Sequence, residues 1–210
     1  MKIRTAATAV LVAATALTAL APSQAFAAPQ APPCTKKNIA YLDAQNHHED
    51  AEAKVTAAEQ ALDRARADRA TLDRTGDLGR HLQNKLTGGP RQSSDVATAT
   101  MSEYYALEDA VEKHDAVATA DAAVKLADTT DKAIKAIKDE DMQRHIQEKA
   151  ERPAKLLREQ AEKARSATEA PNVEARQADL DAARAELTKA AKAVRPARDS
   201  YRNCLDKLVN

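Results

Sequence analysis

Two stretches of this 210-residue chain repeat their seam positions every seven residues. In the first, Tyr41, His48, Val55, Leu62 and Arg69 stand seven apart, and Ala44, Ala51, Ala58, Ala65 and Leu72 follow each by three. In the second, Val173, Leu180, Leu187, Val194, Tyr201 and Leu208 keep the same spacing, with Arg176, Ala183, Ala190, Ala197 and Cys204 three further on. Such heptads describe a helix that buries a narrow seam against another helix. Here the first seam position is mostly bulky and the second mostly alanine. No segment alternates with period two, so the chain is predicted to be all-α.

Turn signals divide the pattern into four long helices. Thr35, after the prolines of "APPC", offers an N-cap for a helix over about 35–74. "TGDLG" ends it, with Gly76 able to take the left-handed C-terminal conformation. A short helical piece near Leu78–Leu86 and the stretch "TGGPRQSS" complete a long connection over 75–93. The next helix spans about 94–128, starting either at Ser94 or at Thr100, where Thr100-x-x-Glu103 matches a capping box. Were residues 94–169 a single helix, it would run about 110 Å and overshoot the others. A reversal is therefore predicted at "DTTD", residues 128–131, with "KDEDM" at 138–142 as the alternative corner. The third helix then covers about 131–169, and the last about 172–208 after "EAPN", where Asn172 can cap. Pro153 and Pro196 fall inside these helices, where a proline costs about 3 kcal/mol unless the helix kinks. The heptad phase survives across Pro196, which predicts a kink; around Pro153 a break is left open.

The two cysteines add a constraint. Residues 1–27 read as a cleavable signal peptide, with Lys2 and Arg4 before an apolar run from Ala6 to Leu20 and Ala25-Phe26-Ala27 as the cleavage pattern. That run is too short to span a bilayer comfortably. Residues 28–33 form an extended proline-rich leader, and 34–210 one helical domain. In an exported chain two thiols pair. Joining Cys34 to Cys204 across antiparallel helices sets Tyr41 against Ala197, Ala44 against Val194, Ala51 against Leu187 and Ala58 against Leu180. Each layer opposes a large side chain with an alanine, although the cysteines played no part in finding the heptads. The predicted fold is an elongated antiparallel four-helix bundle or coiled coil. Its first and last helices pair along an alanine-rich seam and are clasped by a disulfide.

Charge and motif content narrow the function. The chain has 32 basic and 32 acidic residues, and loss of Lys2 and Arg4 leaves the remainder slightly acidic. Balanced, interspersed charge lacks the basic footprint of a nucleic-acid binder or of a helix that lies on anionic lipid. Four glycines leave no phosphate-cradling loop. No serine sits in a glycine-rich elbow, and the carboxylates of Asp139, Glu140 and Asp141 diverge on a helix. No catalytic residue, cofactor or enzyme activity is expected. The densest polar cluster is "NHHED". His47 and His48 suit zinc or copper, but adjacent helical residues point apart, and Asp43–His47 and His48–Glu52 supply only two ligands each. His81, His114 and His145 are isolated. The stretch Glu103–Ala127 carries two apolar tracks, one through Tyr104, Leu107, Val111 and Ala118, the other through Ala110, Val117, Ala120 and Val124; a core position or an extra partner accounts for such a pattern. The expectation is a secreted, non-enzymatic helical scaffold that acts through protein contacts, with a second copy as a homodimer, a cell-envelope component or another secreted protein. The alternative is an extracellular metal- or haem-binding protein using His47 and His48.

Overall fold

The computed structural model describes residues 32–209; the expected signal peptide and most of the leader lie outside them. Among the described residues there are six α-helices and no strand: α1 (Thr35–Thr87), α2 (Arg91–Ala99), α3 (Met101–Glu112), α4 (Ala116–Lys135), α5 (Glu140–Arg165) and α6 (Val173–Val209). A single 3-10 turn at Ala170–Asn172 leads into α6. The expected all-α antiparallel architecture is present, and the first and last helices pack together and are joined by the Cys34–Cys204 disulfide.

Two regions share α1. From Thr35 to about Ala65 it pairs with α6, forming a two-helix arm. Beyond that it enters a head built with α2 to α5. The head holds one continuous core, in which Leu72, Leu82 and Leu86 of α1 meet Leu107, Leu126, Ile146 and Leu157. Alanines fill the spaces between: Ala120, Ala123 and Ala127 on α4 face Ala150, Ala154, Ala161 and Ala164 on α5. Small residues on facing helices let their axes approach toward the short end of the usual 8–10 Å.

Several predicted boundaries are corrected. Helix α1 does not stop at "TGDLG" but continues for 53 residues, about 80 Å at 1.5 Å per residue. Its apolar face carries on through Leu72, Leu82 and Leu86, and burial of that face outweighs the roughly 1 kcal/mol that each helical glycine costs. The glycines have a packing reason. A Cβ on Gly79 would lie 2.4 Å from Leu107 Cδ2, and one on Gly76 would lie 3.3 Å from Val111 Cγ2. The expected 75–93 connection thus shrinks to the turn between α1 and α2, and Ser93 Oγ, which donates to the Leu86 carbonyl at 2.6 Å, ties its two sides together.

The helix expected over 94–128 is three helices. Thr100 forms no capping box: its buried hydroxyl has the Val96 and Ala97 carbonyls and Gln83 Oε1 within hydrogen-bond distance, at the point where the α2–α3 junction meets α1. The second break lies at Lys113–Asp115. His114 takes φ 53°, the left-handed conformation usually left to glycine. His114 N–H donates to the Val111 carbonyl and Asp115 N–H to the Ala110 carbonyl, the paired bonds of a Schellman ending. Asp115 then accepts from Ala118 N–H and opens α4.

The reversal is not at "DTTD". Residues 128–131 lie within α4, and Asp128 and Asp131 instead receive the Arg158 guanidinium from α5. The chain turns at the alternative corner, where Asp139 caps α5 by accepting from Met142 N–H at 3.0 Å. Pro153 and Pro196 both stay inside continuous helices. Nor is Thr35 the N-cap of α1. Cys34 holds that position with φ 78°, and its carbonyl accepts from Lys37 and Asn38. Asn172 belongs to the 3-10 turn and donates to Glu169 instead of capping α6.

Candidate interaction surface

The arm's geometry follows from the heptads. Every seam residue of α1 from Tyr41 to Leu72 is buried or half-buried, and so is every one of α6 from Val173 to Cys204; only Leu208 is exposed. Charged residues flanking the seam pair across it. Lys54 Nζ donates to Glu186 at 2.7 Å on one side, and Arg184 donates to Glu59 at 2.9 Å on the other. The hydrogen bond and charge of Lys54 lower the Glu186 pKa. Being exposed, these pairs contribute little stability, but they agree with the register predicted from the cysteines to within the reach of the side chains.

Both ends of the pairing are fixed. At the far end Cys34 and Cys204 are bonded, their Cα atoms 5.8 Å apart. Beside them the rings of Tyr41 and Tyr201 stack with centroids 6.3 Å apart, an aromatic layer the alanine-opposite-large scheme did not foresee. At the head end Arg69, a charged residue in a seam position, makes a two-pronged bond to Glu174 at 2.6 and 2.9 Å, and its Nε reaches the Ala170 carbonyl. Its neighbour Asp68 accepts from Glu169 N–H at 2.9 Å. Glu174 lies in the first turn of α6, and the Arg69 hydrogen bonds hold its carboxyl down at a pKa of about 2. Arginine at a heptad position thus serves as the corner's anchor.

The histidines part company. His48 sits in the seam, where its Nδ1 is buried without a hydrogen-bond partner and lies 3.9 Å from Glu52. His47 is exposed on the side of Glu186. The two imidazoles therefore do not converge. Among the described residues no group of three or more His, Cys, Asp or Glu side chains is arranged to hold a metal ion.

The structure instead gathers apolar side chains at the outer end of the arm. Ile39 is 51 % exposed, Leu42 46 %, Leu208 54 % and Val209 87 %. Leu205 beside them is also exposed. Periodicity missed Ile39, Leu42 and Leu205 because they lie off the seam; the available signal was their size on an otherwise polar face. The two apolar tracks of Glu103–Ala127 prove to belong to α3 and α4, packed side by side, with Leu107, Ala110 and Ala120 in the core. Only Tyr105 and Val117 remain prominently exposed there. Farther along the arm an open groove of about 680 Å³ is lined by His48, Leu187, Thr188, Ala191, Lys192 and Arg195, with Pro196 at its edge.

No helix among the described residues is long and apolar enough to cross a membrane. Compared with protein-family models, with curated proteins and with solved structures, the chain matches none.

Proposed function

We propose that this chain is an exported helical scaffold that works through protein contacts, with α1 and α6 forming a coiled-coil arm that presents a binding surface away from the head. The observation that carries this reading is the concentration of exposed apolar side chains at the disulfide-clasped end of the arm. A two-helix arm has no third layer to cover its outer faces, so large apolar residues there lower their free energy only against another molecule. The disulfide supports export, since such bonds persist in oxidising compartments. It also holds the arm's end closed beside the stacked Tyr41 and Tyr201 rings. On this reading the protein is not an enzyme: it supplies shape and a contact surface, and its polar residues serve corners and register.

Chemical cross-linking in the native compartment, followed by mass-spectrometric identification of joined peptides, tests the reading. Cross-links to another protein or to a second copy should fall on residues 36–60 and 184–209. Cross-links confined to the head, or none between chains, would refute it.

A further inference from the structure

We propose that the occupant of the arm's apolar side is a second copy of this chain, bound through a two-fold axis running along the arm so that both disulfide-clasped ends lie together. This rests on the reading that the arm is a contact surface and names its partner.

The argument begins with charge. On the side of the arm that carries Leu42, Leu205 and the Glu59–Arg184 pair, the heptad places the exposed α1 acids Glu49, Glu52, Glu59 and Asp63, with Arg66 the exposed base at the head end. On the same side, α6 presents Arg184, Lys192, Arg195, Arg198 and Arg202, offset by Asp181, Asp199 and Asp206. One surface therefore has an acidic half and a basic half, divided lengthwise. Glu59 and Arg184 neutralise each other within the arm, and Arg195 and Arg198 lie 3.8 and 3.3 Å from Asp199. Even so, the opposition of the two halves remains.

Such a surface complements itself in one orientation. A two-fold axis along the arm exchanges the halves, placing α1 of each copy over α6 of the other. An axis across the arm would lay acidic α1 against acidic α1, and like charges brought together at an interface are costly. In the favoured orientation equal heights meet. The register marked by Lys54–Glu186 puts Glu49 level with Lys192, so Glu49 and Glu52 of one copy reach the groove edged by Lys192 and Arg195 of the other. The apolar patch at the clasped end meets the same patch of the other copy, α1 residues against α6 residues and the reverse, as a two-fold interface requires. Each copy adds two helices, converting two bare helix pairs into four antiparallel helices that enclose the exposed leucines.

Sedimentation velocity on the purified, oxidised chain, with circular dichroism as the folding control, tests this. At about 100 µM, well above a micromolar Kd, the wild-type chain should sediment as a dimer that weakens with added salt. Two double variants, Glu49→Lys with Glu52→Lys and Lys192→Glu with Arg195→Glu, should each dimerise at least about tenfold more weakly. Mixed in equal amounts they should form a heterodimer of near wild-type affinity, which also shows that both fold. In a dimer of mixed isotopic labelling, zero-length carboxyl–amine coupling should join Glu49 of one copy to Lys192 of the other. A monomeric wild type, unaffected variants, an unrestored mixture or coupling only within copies would each overturn the proposal. If the chain is monomeric while compartment cross-linking finds a different protein on the arm, the scaffold reading stands and only the identity of the partner falls.

Discussion

The arm and the head are built from the same residues in different company. In the head, alanines of α4 and α5 lie between leucines and an isoleucine that are fully buried, and each helix meets at least two others. In the arm, alanines of the same size face single bulky residues across one seam, and Leu187 and Val194 remain only half-buried. Burial of apolar area is worth about 25 cal/mol per Å², so a helix covered on several sides gains far more from its side chains than one covered on a single face. The head is held by its core. The arm needs fasteners, and it has one at each end: the Cys34–Cys204 bond and the cluster of Asp68 and Arg69 on the α5–α6 corner.

The sharpest way to break the symmetry between them is to open the clasp. Replacing both cysteines, Cys34→Ser with Cys204→Ser, removes a cross-link spanning 170 residues, for which the chain-entropy model gives roughly 5 kcal/mol as an upper value. Hydrogen exchange should quicken over residues 35–60 and 187–209 while the amides of α4 and α5 stay protected. Equal loss in both regions would mean that arm and head unfold as one unit. A gentler comparison uses one substitution in two places. Leu126→Ala, in the fully buried core, should lower the free energy of unfolding by about 3 kcal/mol, whereas Leu187→Ala in the arm should cost about 1. Urea titration of the two variants measures the ratio; similar costs would contradict the contrast.

The smallest effect concerns the corner. Glu174 ordinarily titrates near 4.5, and its bonds to Arg69 lower that to about 2 in the folded chain. A carboxyl depressed by folding stabilises above its unfolded pKa, and the contribution fades as pH falls from about 4.5 through about 2. Thermal midpoints recorded down that range should drop more in the wild type than in Glu174→Gln. Parallel curves would remove this pair from the account of the corner.

The same contrast explains what could be read from the residues alone. A two-helix seam leaves a clean heptad, because each helix buries one stripe and the remainder is polar. Tyr41 to Leu72, Val173 to Tyr201 and the two cysteines were therefore legible together, along with their pairing and register. Head helices bury more than one face, which blurs the period. The breaks that divide 91–135 also depend on tertiary partners. His114 ends α3 in a conformation its residue type does not advertise, and the Thr100 hydroxyl faces acceptors on α2 and α1 instead of forming a cap. Gly76 and Gly79 misled in the opposite direction: they resemble a stop signal, yet they serve the close approach of α3. The proposed contact surface is the least legible part. Ile39, Leu42 and Leu205 lie outside the heptad, and the division of charge across the arm emerges only when α1 and α6 are laid side by side.

The unbroken course of α1 has a mechanical consequence. It runs as one strut from the clasped tip into the middle of the head, with no hinge residue between arm and core. A sideways pull on the tip is therefore transmitted as torque to the packing around Leu72 and Leu82 instead of being absorbed by a flexible joint. On the proposed reading, a partner bound at the end of the arm is held at a fixed distance and angle from the head.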